Sequence, residues 1–108
     1  LINGIKDGTI DCIATDHAPH NIEEKENDFI HASCGMIGLE TAFSSSYTAL
    51  KKEKISLEKI VSLFTSGPSK AMNIDKKFLS KESNAEIVII DLDKKWKVSN
   101  NDFKSKSR

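Results

Sequence analysis

The sequence predicts an α/β fold, and only part of one. Two observations carry this. An apolar stretch, "TIDCIAT" (residues 9–15), reads as a strand with no helical period, and it is apolar along almost its whole length. Such a strand is covered on both faces, as in a parallel sheet. Helical sequence then follows it, which makes one βα unit. A lone strand cannot cover both of its own faces, so the rest of the sheet is expected upstream.

The elements follow in order. Leu1 to Lys6 reads as a helix end, stopped by Asp7–Gly8. After the strand, "NIEEKENDFIHASCG" is charged and aperiodic, and reads as a long loop. Loops of this length after a strand's C-terminal end are where binding and catalysis concentrate. "GLETAFSSSYTALKKE" is helical, with Leu39, Phe43, Tyr47 and Leu50 as its stripe. "SLEKIVSLFTS" is a second helix, with Ser56 as N-cap and Leu57, Ile60, Val61 and Phe64 as its apolar face. "SGPSKAMNI" reads as a short third helix with Pro68 at its first position. "AEIVIID" is a second strand and "KWKVS" a third, joined by a turn at "DLDKK".

Bulk properties narrow the function classes. The 108 residues carry 16 Lys plus Arg against 16 Asp plus Glu, for a formal net charge of zero. That balance points away from nucleic acid and membrane surfaces. The basic end, "FKSKSR", reads as a solvated tail. No apolar run approaches the ~20 residues of a transmembrane helix. The N-terminus lacks a Met and a signal-peptide core, so the chain reads as a cytoplasmic segment of something longer. Cys12 and Cys34 read as two reduced thiols.

The chemistry sits in "IATDHAPH", where an apolar strand runs into Asp16, His17 and His20. In α/β barrels the C-terminal strand end is the active-site face. A carboxylate there can bind a divalent metal or shuttle a proton. His20, four residues on, can reach the same pocket, along a path stiffened by Pro19. An Asp-His pair can also merely cap a turn. A structural zinc on Cys12, His17, His20 and Cys34 is less favoured, because the His-x-x-His spacing is short and Cys12 lies inside the strand. His31 has no partner in sequence and reads as solvated, and Cys12 reads as core. Gly35 and Gly38 either bring backbone N–H groups to a ligand or only shape the loop-to-helix turn.

These residues carry a resemblance. "DGTIDCIATDHAPH", "EEKE" and "GMIGLETAF" look like the C-terminal portion of bacterial dihydroorotase, a pyrimidine-pathway enzyme of the amidohydrolase superfamily. "SLEKIVSLFTSGPSKAMNI" and "NAEIVIIDLDKKWKVSNNDFKSKSR" continue it in order, over essentially the whole chain. The resemblance implies the C-terminal part of a (β/α)8 TIM barrel over residues 1–75, with strands of a small β-domain over 76–108. It implies a zinc centre of one or two ions and the interconversion of L-dihydroorotate and N-carbamoyl-L-aspartate.

By the same resemblance, Asp16 is a metal ligand and the catalytic proton carrier. His20, Cys34 and Gly35 lie against the substrate, and His17 carries no transferred role. The remaining ligands, a His-x-His pair, a bridging lysine and two further His, lie upstream in the family, as do a substrate Arg and Asn. Partners implied are a small-molecule substrate, further copies of the chain, and aspartate transcarbamoylase. The resemblance also admits an allantoinase- or hydantoinase-type hydrolase and a non-catalytic scaffold subunit. Three positions depart from the family: Cys34 stands for a usual Phe, Gly67–Pro68 for Asn-Pro, and "KESNAE" for a Gly-rich stretch before the tail strand.

Overall fold

A computed structural model describes residues 1–74 and 79–107. The expected division at residue 75 therefore lies outside the described residues. The described part is built on five short helices: α1 (Ile2–Asp7), α2 (Ile22–Lys25), α3 (Ala42–Lys52), α4 (Leu57–Ser62) and α5 (Ser66–Ala71). A single 3-10 turn follows at Asn100–Asp102.

Local signals explain most boundaries. Gly8 stops α1 with a left-handed φ of 88°, a conformation that suits a residue without Cβ. Ser56 caps α4, its hydroxyl accepting the Lys59 backbone N–H. α5 starts at Ser66, so Pro68 sits third rather than first, still inside the turn whose N–H groups need no helical partner. α3 starts at Ala42, which leaves Leu39 outside it and 61% exposed. Phe43, Tyr47 and Leu50 do face the core.

The core is small. Ile5, Leu50, Ile55, Ile60 and Leu63 are buried, with Ile2, Ile10, Ile13, Phe43, Tyr47 and Phe64 packed against them. Leu63, fully buried, lies one position beyond α4 and outside the stripe read from sequence. The Phe43 ring stacks on Tyr47 at 6.1 Å and tilts against Phe64 at 5.7 Å, joining α3 to the end of α4.

The expected strands form no ladder among the described residues. Residues 9–15 thread between helices instead. The Ile10 N–H donates to the Gly4 carbonyl and the Ile13 N–H to the Leu63 carbonyl. Among the described residues the only strand-like pairing is a parallel bridge between His17 and Met36. A parallel strand takes its hydrogen bonds from neighbours distant in sequence, and no such neighbour is among these residues. Residues 85–91 and 95–99 likewise form no strand and are exposed, Ile89 to 95%. The turn between them does form: the Asp91 carboxylate accepts the backbone N–H groups of Asp93 and Lys94. With so much apolar surface uncovered, the radius of gyration is 16.8 Å, against about 13 Å for a compact domain of this length. No helix among the described residues is long and apolar enough to cross a membrane.

Gly67 marks the closest packing in the core region. A Cβ there would fall on the Asp11 carbonyl oxygen and within 3.0 Å of the Ser62 oxygen. Gly67→Ala should therefore push α5 off the 9–15 segment. In the complete protein we expect a loss of about 1–3 kcal/mol in denaturant unfolding. Leu63→Ala should cost about 2–5 kcal/mol by the same measurement. A loss below about 0.5 kcal/mol in either would contradict this packing.

Candidate active site

The site is built by two loop segments running side by side, residues 15–20 and 35–39. The Ala18 N–H donates to the Met36 carbonyl at 3.0 Å. His17 completes the junction: its Nδ1 accepts the backbone N–H of Gly38 at 3.0 Å and of Leu39 at 3.4 Å. Nδ1 can accept only when unprotonated, so the ring proton is assigned to Nε2. His17, without a role by sequence, thus holds the two segments in register.

Both glycines are required by this approach. A Cβ at Gly35 would lie 2.7 Å from the Ala18 Cβ, and Gly35 has φ 116°. A Cβ at Gly38 would lie 3.2 Å from the Thr15 carbonyl. The Gly38 N–H is spent on His17, so of the two sequence readings close packing is the one its geometry supports.

Asp16 leaves the junction pointing its carboxylate to solvent. The residue is exposed, and no hydrogen bond or ion pair among the described residues reaches that carboxylate. Its backbone φ is 49°, a left-handed conformation that Asp tolerates better than most residues. An unusual backbone held in place by its surroundings is a common mark of a functional position.

His20 is held at several points. Its backbone N–H donates to the Ser107 hydroxyl at 3.1 Å, and its Nδ1 meets the Glu24 Oε2 at 3.1 Å. Its Nε2 lies 3.2 Å from where a Cβ of Gly35 would stand. The structure thus brings His20 and Gly35 together. Cys34 is exposed beside them in the chain, and among the described residues no hydrogen bond or ion pair joins Asp16 to any of the three. Cys12 is half-buried outside the core cluster, and both thiols are free.

The long loop is more ordered than its sequence implies. Asn21 caps α2 by accepting the Glu24 N–H at 2.8 Å. Lys25 Nζ donates to the carbonyls of Ser33 and Gly35, at 3.0 and 2.8 Å. His31 does have a partner: its Nδ1 lies 2.8 Å from the Asp28 carboxylate. The His31 ring and then its backbone N–H hold the Asp28 carboxyl below the usual Asp range. The chain end docks rather than standing free. The Glu40 carboxylate accepts the N–H groups of Lys104 and Ser105, and Ser107 is buried. A groove of about 480 Å³ lies between this tail and the His20 loop.

Among the described residues no three His, Cys, Asp or Glu side chains gather to hold a metal. The alternative zinc cluster on Cys12, His17, His20 and Cys34 is therefore not assembled, and the His17 Nδ1 is already committed to backbone.

No protein-family model matches the chain. Curated relatives do. The dihydroorotase of Caldicellulosiruptor saccharolyticus is 45% identical over 109 residues, covering 100% of this chain and 25% of that protein. Along its whole length the chain is similar to dihydroorotases. The dihydroorotase of Elusimicrobium minutum is 46% identical over 99% of the chain, and that of Deinococcus radiodurans 40% identical over 100% of it. The chain spans about a quarter of the length of the curated relatives it matches.

The His17 junction gives a direct test in the complete protein. His17→Ala should destabilise it by about 1 kcal/mol, by leaving the Gly38 and Leu39 N–H groups without their acceptor. His17→Asn, which keeps a short side-chain acceptor, should recover most of that in thermal unfolding. Equal loss in both variants would mean the ring's packing, not its acceptor, holds the junction.

Proposed function

We propose that this chain is part of a cytoplasmic dihydroorotase, which interconverts L-dihydroorotate and N-carbamoyl-L-aspartate in pyrimidine synthesis. The observation that carries the reading is identity of 40–46% to curated dihydroorotases along the whole chain. In this reading residues 9–20 belong to a barrel strand and its active-site end. The exposed apolar residues of 86–98 pair within a small β-domain. The complete protein works as a homo-oligomer or in association with aspartate transcarbamoylase.

Asp16 fits one place in a zinc site. It offers an exposed oxygen donor with no hydrogen-bond partner among the described residues, and in this reading the other donors lie upstream of this chain. Zinc, when bound, supplies Lewis-acid activation of water and of the ring carbonyl. The protein's part is proton movement and orientation. Asp16 accepts the proton that water gives up as its oxygen joins the carbonyl carbon. As the C–N bond breaks, Asp16 returns that proton to the departing nitrogen. His20, beside Gly35, contacts the substrate, with Cys34 on the same wall.

Asp16→Asn in the complete protein should lower kcat at least about 100-fold with the fold retained. It removes a base while conserving volume. His20→Ala should act mainly through KM. Dihydroorotate turnover checks both. Near-normal kcat in Asp16→Asn would remove Asp16 from proton transfer. Turnover of allantoin or hydantoin in place of dihydroorotate would move the protein to a related ring hydrolase, and turnover of none would favour the scaffold subunit.

A further inference from the structure

The proposed reaction gives His20 a substrate contact but does not say what aims its ring. An imidazole free to turn about χ1 and χ2 is a poor substrate ligand unless something fixes χ2. His20 is only half-buried. What does reach it is Glu24, whose Oε2 lies 3.1 Å from Nδ1. An ionised carboxylate can only accept, so Nδ1 carries a hydrogen toward it. That choice turns the opposite nitrogen, Nε2, to the Gly35 side of the loop pair.

Glu24 is itself held in place. It lies in α2, whose N-cap Asn21 accepts the Glu24 N–H. The next residue, Lys25, ties α2 to the Gly35 carbonyl at 2.8 Å. The same single-turn helix is therefore anchored to both walls of the site, and Glu24 projects from it onto His20.

Resting on the dihydroorotase reading, we propose that Glu24 is a positioning residue: it orients the His20 imidazole so that Nε2 faces the substrate beside Gly35. It touches no substrate and acts only through His20. Carboxylate-to-imidazole pairs that fix the orientation of a working nitrogen are a general device in enzymes. The i, i+4 spacing of His20 and Glu24 joins the last residue of the site loop to the helix that follows it.

The test is a double-mutant cycle in the complete, zinc-loaded protein, read as kcat and KM for dihydroorotate. Glu24→Ala should raise KM about 5- to 20-fold, with kcat changed less than about threefold. Glu24→Gln, which keeps an acceptor oxygen, should recover most of the KM. In a His20→Ala background, Glu24→Ala should add less than about twofold, since its only route is gone. Full additivity of the two substitutions would overturn the proposal, as would a wild-type KM in Glu24→Ala. Equal damage in Glu24→Gln and Glu24→Ala would overturn it too. A His20→Ala variant with wild-type kcat and KM would instead overturn the substrate role of His20 on which this rests.

Discussion

The site depends on one junction, the pairing of residues 15–20 with residues 35–39 through the His17 imidazole and the Ala18 N–H. Two backbone donors of the second segment end on one ring nitrogen of the first. Because the contact is backbone to ring, it fixes the height of one segment against the other, which a purely apolar contact would not. The glycines at 35 and 38 allow this closeness: a Cβ at Gly35 would force the segments to shift, and one at Gly38 would crowd the Thr15 carbonyl. Asp16, one residue before the ring, and His20, three after it, inherit their positions from the junction.

Around that junction hydrogen bonds hold the loop segments. The hydrophobic core lies to one side, among α1, α3 and α4 and the residue after α4. The site loop is held by Asn21, Lys25, Glu40 and Ser107, each satisfying backbone groups that would otherwise face solvent or strain. This division is common where chemistry must stay wet and rigid together: loops carry the reactive groups, and hydrogen bonds rather than burial hold them.

Four of the five described helices were legible in the sequence because their signals are local, while α2 fell inside a stretch read as loop. Gly8, Ser56 and the Phe43–Tyr47–Leu50 stripe act within a few residues of themselves. Asp16 and His20 stood out as candidates because three ionisable groups at the end of an apolar run are unusual. The strands at 9–15, 85–91 and 95–99 were not confirmed, since a ladder needs partners that no local pattern contains. His17, Ser107 and Glu40 were missed for a related reason. Each works on backbone groups 21 to 87 residues away, and a side chain that accepts a backbone N–H leaves no periodic trace. The basic tail was read as solvated because charge alone does not reveal that Glu40 collects its N–H groups. Glu24 was visible only as one charge in a run.

The central claim is that this chain gives a metal site one carboxylate and one wall of its substrate pocket. The most direct measurement is a crystal structure of the complete protein with zinc and dihydroorotate bound. An Asp16 oxygen should lie about 2.0–2.2 Å from zinc, with His20 Nε2 within about 3.2 Å of a substrate oxygen. An Asp16 carboxylate turned to solvent, or a substrate seated away from the 15–20 and 35–39 junction, would contradict it.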